Sequence, residues 1–207
     1  MELSTPGRLI ERPGGTEQRS APRYVSLIRA AKLVTQEGEF VCVVRDVSRT
    51  GVKVKIFHRL PAGCEGLTLE LQNAERFALR PVRMEEGEAS FLFTQPVAIE
   101  RLIREHWTYP KRQFRLNITL PVRLLTLGGE WEGEIANISQ QGARLITPAR
   151  FAAEQLLRIT ADGLPDIRAK VRWRRQGIYG VVFEDTFSLS QIARLAALIQ
   201  CPALLHG

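Results

Sequence analysis

At 207 residues the chain can form one large domain or two of about 100 residues each. An apolar fraction of 44% with 25% charged residues is ordinary for a globular protein, and no apolar run approaches the ~18 to 20 residues that a bilayer-spanning helix needs. The net charge of +7 favours anionic partners such as nucleotides, nucleic acid or acidic protein surfaces. The excess is uneven: residues 110–207 hold 13 Lys/Arg against 8 Asp/Glu, whereas residues 1–94 hold 14 against 12.

Cys42, Cys64 and Cys201 have no metal-ligand spacing, and His58, His106 and His206 each stand alone. This argues against a metal site, a disulfide framework and a catalytic constellation, so neither an enzyme nor a cofactor is expected. Residues 1–16 contain turn formers and no apolar h-region; they read as a flexible arm, not a secretory signal, and a cytoplasmic protein is the expectation.

Arg19 and Arg23, four positions apart, lead into an apolar run rich in strand formers, Tyr24 to Thr35. Gln36-Glu-Gly38 reads as a turn, and Glu39 to Asp46 as a second strand dense in valine. Asp46-Val-Ser-Arg-Thr-Gly51 then places a carboxylate, a hydroxyl and a glycine in one tight loop. Val52, Val54 and Ile56 alternate with Lys53 and Lys55, the pattern of a half-buried strand. Leu67 to Leu71 is a short strand, and Phe77 to Met84 pairs with Ala89 to Phe93 around Glu85-Glu-Gly-Glu88. Ile99, Leu102, Ile103 and His106 or Trp107 fall at helical spacing, ending before Pro110.

The pattern then restarts. Glu39 to Asp46 aligns with Glu130 to Asn137 at an offset of 137 − 46 = 91, and Ser48 with Ser139 and Gly51 with Gly142 at the same offset. Arg23 aligns with Arg115 at 115 − 23 = 92, so the first copy has one extra residue in its first strand. The second copy has its own hairpin, Ile167 to Trp173 and Ile178 to Phe183, and its own helix, Leu189 to Ile199, stopped by Pro202. A period of this kind implies two like domains in series.

At these residues the chain resembles the PilZ domain family, twice over. That family's pattern is Arg-x-x-x-Arg before the first strand and Asp/Asn-x-Ser-x-x-Gly further on. The first copy has Arg19 and Arg23, then Asp46, Ser48 and Gly51. The second has Asn137, Ser139 and Gly142, with Lys111 in the first arginine's place, Arg112 beside it and Arg115 in register. The closing Tyr179-Gly-Val-Val-Phe183 is also similar to the family. The resemblance implies a mainly β fold: two tandem six-stranded antiparallel β-barrels, each followed by a short C-terminal α-helix, with domains at 17–108 and 109–207. It implies a bacterial receptor for the second messenger cyclic dimeric GMP, without catalysis.

The residue types suit that ligand. Arginine's planar fork binds a phosphate bidentately, donates to guanine O6 and N7, and stacks on a base. Lys111 can hold a phosphate but cannot copy the fork, which leaves that role to Arg112. Asp46 can accept from a guanine amide and amino group together; Asn137 offers one acceptor oxygen. Ser48 and Ser139 add a small donor/acceptor. Gly51 and Gly142 serve either a positive φ or a close approach of the backbone to the base. Ligand binding would then change the arrangement of the two modules and signal to a downstream protein partner. Two rivals stand beside this reading: a nucleic-acid-binding regulator using the basic second half, and a ligand-free adaptor. Arg168, Lys170, Arg172 and Arg174 alternate with Ile167, Ala169, Val171 and Trp173, which puts four cations on one strand face; a solvated outer face is the favoured reading. Trp107, Trp131 and Trp173 are expected in the core or the domain interface, and Cys42 packed in a strand.

Overall fold

The computed structural model describes residues 24–61, 66–103 and 114–205. The first six strands are β1 (Tyr24–Val34), β2 (Glu39–Val47), β3 (Gly51–Ile56), β4 (Thr68–Leu71), β5 (Arg76–Glu85) and β6 (Glu88–Phe93). They close into an antiparallel barrel in the order β1-β2-β3-β6-β5-β4. Period-2 alternation builds it: Val52, Val54 and Ile56 point in, while Lys53 and Lys55 point out. Phe40, Leu33, Leu69, Phe91 and Cys42 fill the interior. Helix α1 (Ile99–Ile103) buries Leu102 against this core. The guanidinium of Arg29 caps it, donating to the carbonyls of Leu102 (2.6 Å) and Ile103 (2.7 Å).

The second set repeats the topology. β7 (Arg115–Leu116) and β8 (Leu120–Thr126) together take the place of β1. They are followed by β9 (Gly129–Ser139), β10 (Gly142–Ile146), β11 (Leu156–Thr160), β12 (Ile167–Arg175) and β13 (Ile178–Phe183). The ring runs β8-β9-β10-β13-β12-β11 and closes through β9–β10 and β8–β9, with β7 laid on the far end of β9. The extra residue of the first copy is visible in the ladder. Ser26, Leu27 and Ile28 bulge out opposite Arg45 between the pairs Val25–Asp46 and Arg29–Val44. Helix α2 (Leu189–Gln200) begins with a capping box, in which Ser188 Oγ accepts from Gln191 N–H and Gln191 Oε1 accepts from Ser188 N–H. Its Ile192, Ala193, Leu195 and Ala196 close the second core.

The two barrels pack on one another. Lys32, Val41 and Glu70 form one outward rung of the first barrel, yet all three are buried, because the second barrel covers that face. Val41 belongs to the second barrel's core, while Cys201 and Leu204 pack on the first. Lys32 Nζ meets Glu70 Oε1 at 2.7 Å and Glu39 Oε2 at 3.0 Å, 5.9 Å from the Phe114 ring centroid. Glu39 also accepts from both the backbone and the side chain of Asn117, at 2.9 and 2.8 Å. The Gln200 amide pairs with the Glu39 backbone as a strand would, accepting from its N–H and donating to its carbonyl, both at 2.8 Å. Burial opposes the Glu70 charge, but Lys32 and then Arg76 outweigh it and hold the carboxyl below its usual range.

Candidate functional site

The motif carboxylate is aimed by a β-bulge. Phe40, Cys42 and Val44 face the first core, so an unbroken strand would turn Asp46 inward as well. A bulge at Arg45 shifts the register from Val44–Val54 to Asp46–Lys53, and Asp46 emerges on the outer face beside Lys53. The second barrel does the same at Ala136: Ile135 pairs with Leu145 inside, and Asn137 pairs with Arg144 outside. Asp46 Oδ1 is buried and finds no hydrogen-bond donor among the described residues. Leaving such an oxygen unmatched costs about 1–3 kcal/mol, which a ligand donor would recover.

The serine and the glycine hold the loop after the bulge. Ser48 Oγ accepts from the N–H groups of Gly51 (3.0 Å) and Thr50 (3.3 Å), and Ser48 N–H donates to the Gly51 carbonyl at 2.8 Å. Ser139 Oγ donates to the Gly142 carbonyl at 3.0 Å. Neither glycine has a positive φ. A neighbouring strand is what excludes a side chain. A Cβ on Gly51 would lie 2.7 Å from the Phe91 carbonyl oxygen, and one on Gly142 would lie 2.2 Å from that of Val181. The positive-φ expectation for the motif glycine is therefore corrected: close strand approach is the reason for it.

In the second barrel Arg115 opens β7, and its Nη1 donates to Asn137 Oδ1 at 2.8 Å. Desolvation, and then the charge of Arg144, lowers the pKa of its guanidinium. Arg144 has no carboxylate partner among the described residues and was missed in the sequence. A signal was present, since a cation stands two residues after the motif glycine in both copies, Lys53 and Arg144. Lys53 differs in being paired with Glu88 at 2.5 Å. Arg19, Arg23, Lys111 and Arg112 lie outside the described residues, as do Trp107 and Cys64.

Two expectations for β12 are corrected. A second bulge, at Arg172, moves the register from Val171–Val181 to Trp173–Gly180, so the cation alternation breaks there and Arg174 pairs opposite the buried Tyr179. Trp173 is consequently not a core residue; it is 49% exposed. Trp131 does pack against the second core, edge-on to Phe151 at 5.6 Å. Three of the cations are paired, Arg168 with Glu184 and Asp185, and Lys170 and Arg172 with Glu154, while Arg174 donates to the Phe151 carbonyl at 3.0 Å. Cys42 is fully buried, and burial pushes its thiol pKa far up, as expected of a packed cysteine. Among the described residues there is no group of three or more His, Cys, Asp or Glu able to hold a metal ion, and no helix long and apolar enough to cross a membrane.

No curated protein matches the chain. Among solved structures, the K. pneumonia MrkH–c-di-GMP complex is 13% identical, with 83% of this chain and 87% of that chain covered and a TM-score of 0.34. Borreliella burgdorferi PlzA in complex with c-di-GMP is 14% identical, covering 84% and 86%, with a TM-score of 0.33. The PilZ domain of CeSA from a cellulose synthesizing bacterium is 20% identical over 40% of this chain and 94% of that one, with a TM-score of 0.32. Residues 110–200, which carry the second barrel, the bulged Asn137, its Ser139–Gly142 loop and helix α2, match the family model of the PilZ domain.

Proposed function

We propose that the chain is a receptor for cyclic dimeric GMP that binds the messenger on the outer faces of its barrels and signals to a protein partner through a change between them. Asp46 carries the reading. A bulge brings it outside, its loop is fixed by Ser48, and one of its oxygens is buried without a donor among the described residues. A guanine presents N1–H and N2–H side by side to such a carboxylate; adenine has no N1–H. β1 enters beside this loop, Tyr24 pairing with Val47, and Arg19 and Arg23 immediately precede it in sequence. They supply the phosphate and O6/N7 contacts, while Ser48 and Gly51 complete the loop edge. In the second barrel Lys111, Arg112 and Arg115 take the cationic role, and Asn137, Ser139 and Gly142 form the loop. The family match over residues 110–200 supports the reading.

Titration of the intact protein with cyclic dimeric GMP and with cyclic dimeric AMP tests it. The guanine ligand binds, the adenine ligand does not, and Asp46→Ala weakens binding about tenfold, the scale of losing a charged hydrogen-bond acceptor. Equal binding of both nucleotides, or of neither, would overturn the proposal.

A further inference from the structure

We infer that a cleft between the two barrels is the docking groove for the partner protein, and that it takes an extended, acidic segment of that partner as an added strand on β5; this deepens the receptor reading and rests on it for the signal that docking carries. The groove opens where the two ladders of β5 end at different places. β5 stays paired with β6 as far as Glu85, but β4 leaves it at Ala78. The stretch from Arg80 to Glu85 therefore has one edge without a strand among the described residues. Alternation along the β5–β6 ladder turns the N–H and C=O of Met84 and the C=O of Pro81 to that open side. The second barrel seals the equivalent edge. Val171, the counterpart of Pro81, donates to the Gln155 carbonyl at 3.0 Å and accepts from Glu154 N–H at 2.8 Å. Arg174, the counterpart of Met84, sends its side chain to the Phe151 carbonyl. Pro81 has no N–H to make the first of these bonds.

The surroundings of the edge set the chemistry of its occupant. Met84 and Glu85 line a cavity of about 900 Å³. Its other wall comes from the second half of the chain: Arg194 of α2, with Leu204 and Leu205 of the short 3-10 helix Pro202–Leu205. Met84 is 43% exposed and Val82, on the β5 bulge, 62%, so the open stretch keeps apolar surface in water that an occupant would cover. Charge decides the sign. Arg59 and Arg194 line the cavity, Arg80 stands on the open stretch, and none of the three has a carboxylate partner among the described residues. Of the two acids in the lining, Glu85 is already paired with Arg83, which leaves Glu86. Three open cations against one open carboxylate favour an acidic segment. Laid on β5, such a segment gains backbone bonds at Met84, places an apolar side chain in the cleft and brings carboxylates to Arg59 and Arg194. The cleft has a wall from each side of the molecule, so a change between the barrels alters its width and is passed to the partner.

Fluorescence-anisotropy titration of the intact protein with a fluorescein-labelled peptide of alternating Asp and Val tests the groove. A peptide of alternating Lys and Val, and an acidic peptide N-methylated on alternate backbone amides, serve as comparisons. The acidic peptide binds, added salt weakens it, and the basic peptide does not bind. Arg59→Glu combined with Arg194→Glu weakens the acidic peptide about tenfold or more and leaves thermal unfolding unchanged, since both side chains are exposed. N-methylation weakens it about tenfold by removing strand hydrogen bonds without altering the protein. The groove is wrong if the acidic peptide fails to bind at about 1 mM, binds no better than the basic one, or is unaffected by the charge reversals or by N-methylation. Cyclic dimeric GMP is titrated in parallel: nucleotide binding without peptide binding leaves the receptor reading standing and overturns the groove, and peptide binding without nucleotide binding does the reverse. A doubled mass by light scattering without peptide, abolished by the charge reversals, would make the cleft an interface between copies and overturn the partner assignment.

Discussion

Replacing Gly142 by alanine tests whether the motif glycine serves the barrel or the ligand. Its Cβ would sit 2.2 Å from the Val181 carbonyl oxygen and 3.2 Å from the Val181 carbonyl carbon, both backbone atoms that no rotamer change can move. Ordinary contact begins near 3.4 Å, so β10 and β13 must separate by roughly 1 Å at the Gly142–Val182 pair. That separation strains the adjoining bond from Phe183 N–H to the Gln141 carbonyl, now 2.8 Å. Overpacking costs about 1–3 kcal/mol and a weakened ladder bond about 1 kcal/mol, giving about 3 kcal/mol in all. Gly51→Ala meets the Phe91 oxygen at 2.7 Å, a smaller overlap, and should cost about 1–2 kcal/mol. Gly87 has a φ of +79° and open space within 4 Å of the position a Cβ would take, so Gly87→Ala isolates the conformational cost of about 1–2 kcal/mol. Urea denaturation of the three variants should rank Gly142→Ala as the least stable. A Gly142→Ala protein within about 0.5 kcal/mol of wild type would refute the strand-approach argument, and lost nucleotide binding at unchanged stability would assign the glycine to the ligand.

Lys32→Met should destabilise the protein by about 3–5 kcal/mol, because it leaves Glu39 and Glu70 buried against one another's charge; thermal unfolding should fall by several degrees, and adding Glu39→Gln and Glu70→Gln should recover most of the loss. His58 has a pKa lowered by burial, partly offset by its 2.5 Å hydrogen bond to the Arg59 carbonyl. The folded state therefore favours the neutral ring: its stability contribution is full above about pH 6.5 and is lost as pH falls through the lowered value. Urea midpoints from pH 8 to 5 should decline less for His58→Phe than for wild type, and identical slopes would contradict the assignment. Glu70 acts lower, its contribution fading as pH drops below the ordinary carboxylate range near 4.5, so wild type should show a second decline there that Glu70→Gln reduces. Arg115→Ala should weaken binding at the second barrel about tenfold while changing stability little, since it removes one part-buried hydrogen bond to Asn137; a large loss of stability would make the residue structural.

Much of the barrel was legible because alternation is a local signal. Val52, Val54 and Ile56, the Glu85-Glu-Gly-Glu88 turn and the stop at Pro202 each specify their own element, and the second copy repeats the first. The bulges were harder to read. The bulged residues, Arg45, Ala136 and Arg172, are ordinary side chains, and nothing in their chemistry marks an extra residue. The trace they leave is an odd step in burial, as from Val44 to Val47, where an even strand would bury position 46. Missing that step sends Trp173 into the core with Val171. The role of Gly142 depends on a strand about forty residues downstream, and the burial of Lys32 depends on the other barrel. Both are long-range facts that a local pattern does not hold.

The most direct test of the receptor account is calorimetric titration of cyclic dimeric GMP into the intact protein, beside Arg23→Ala, Asp46→Ala and Arg115→Ala variants. The account predicts saturable binding in the low micromolar range or tighter, loss of affinity or of part of the heat when either barrel is altered, and retained folding in every variant. Absence of binding by the wild-type protein, or binding that none of the three substitutions weakens, would contradict it.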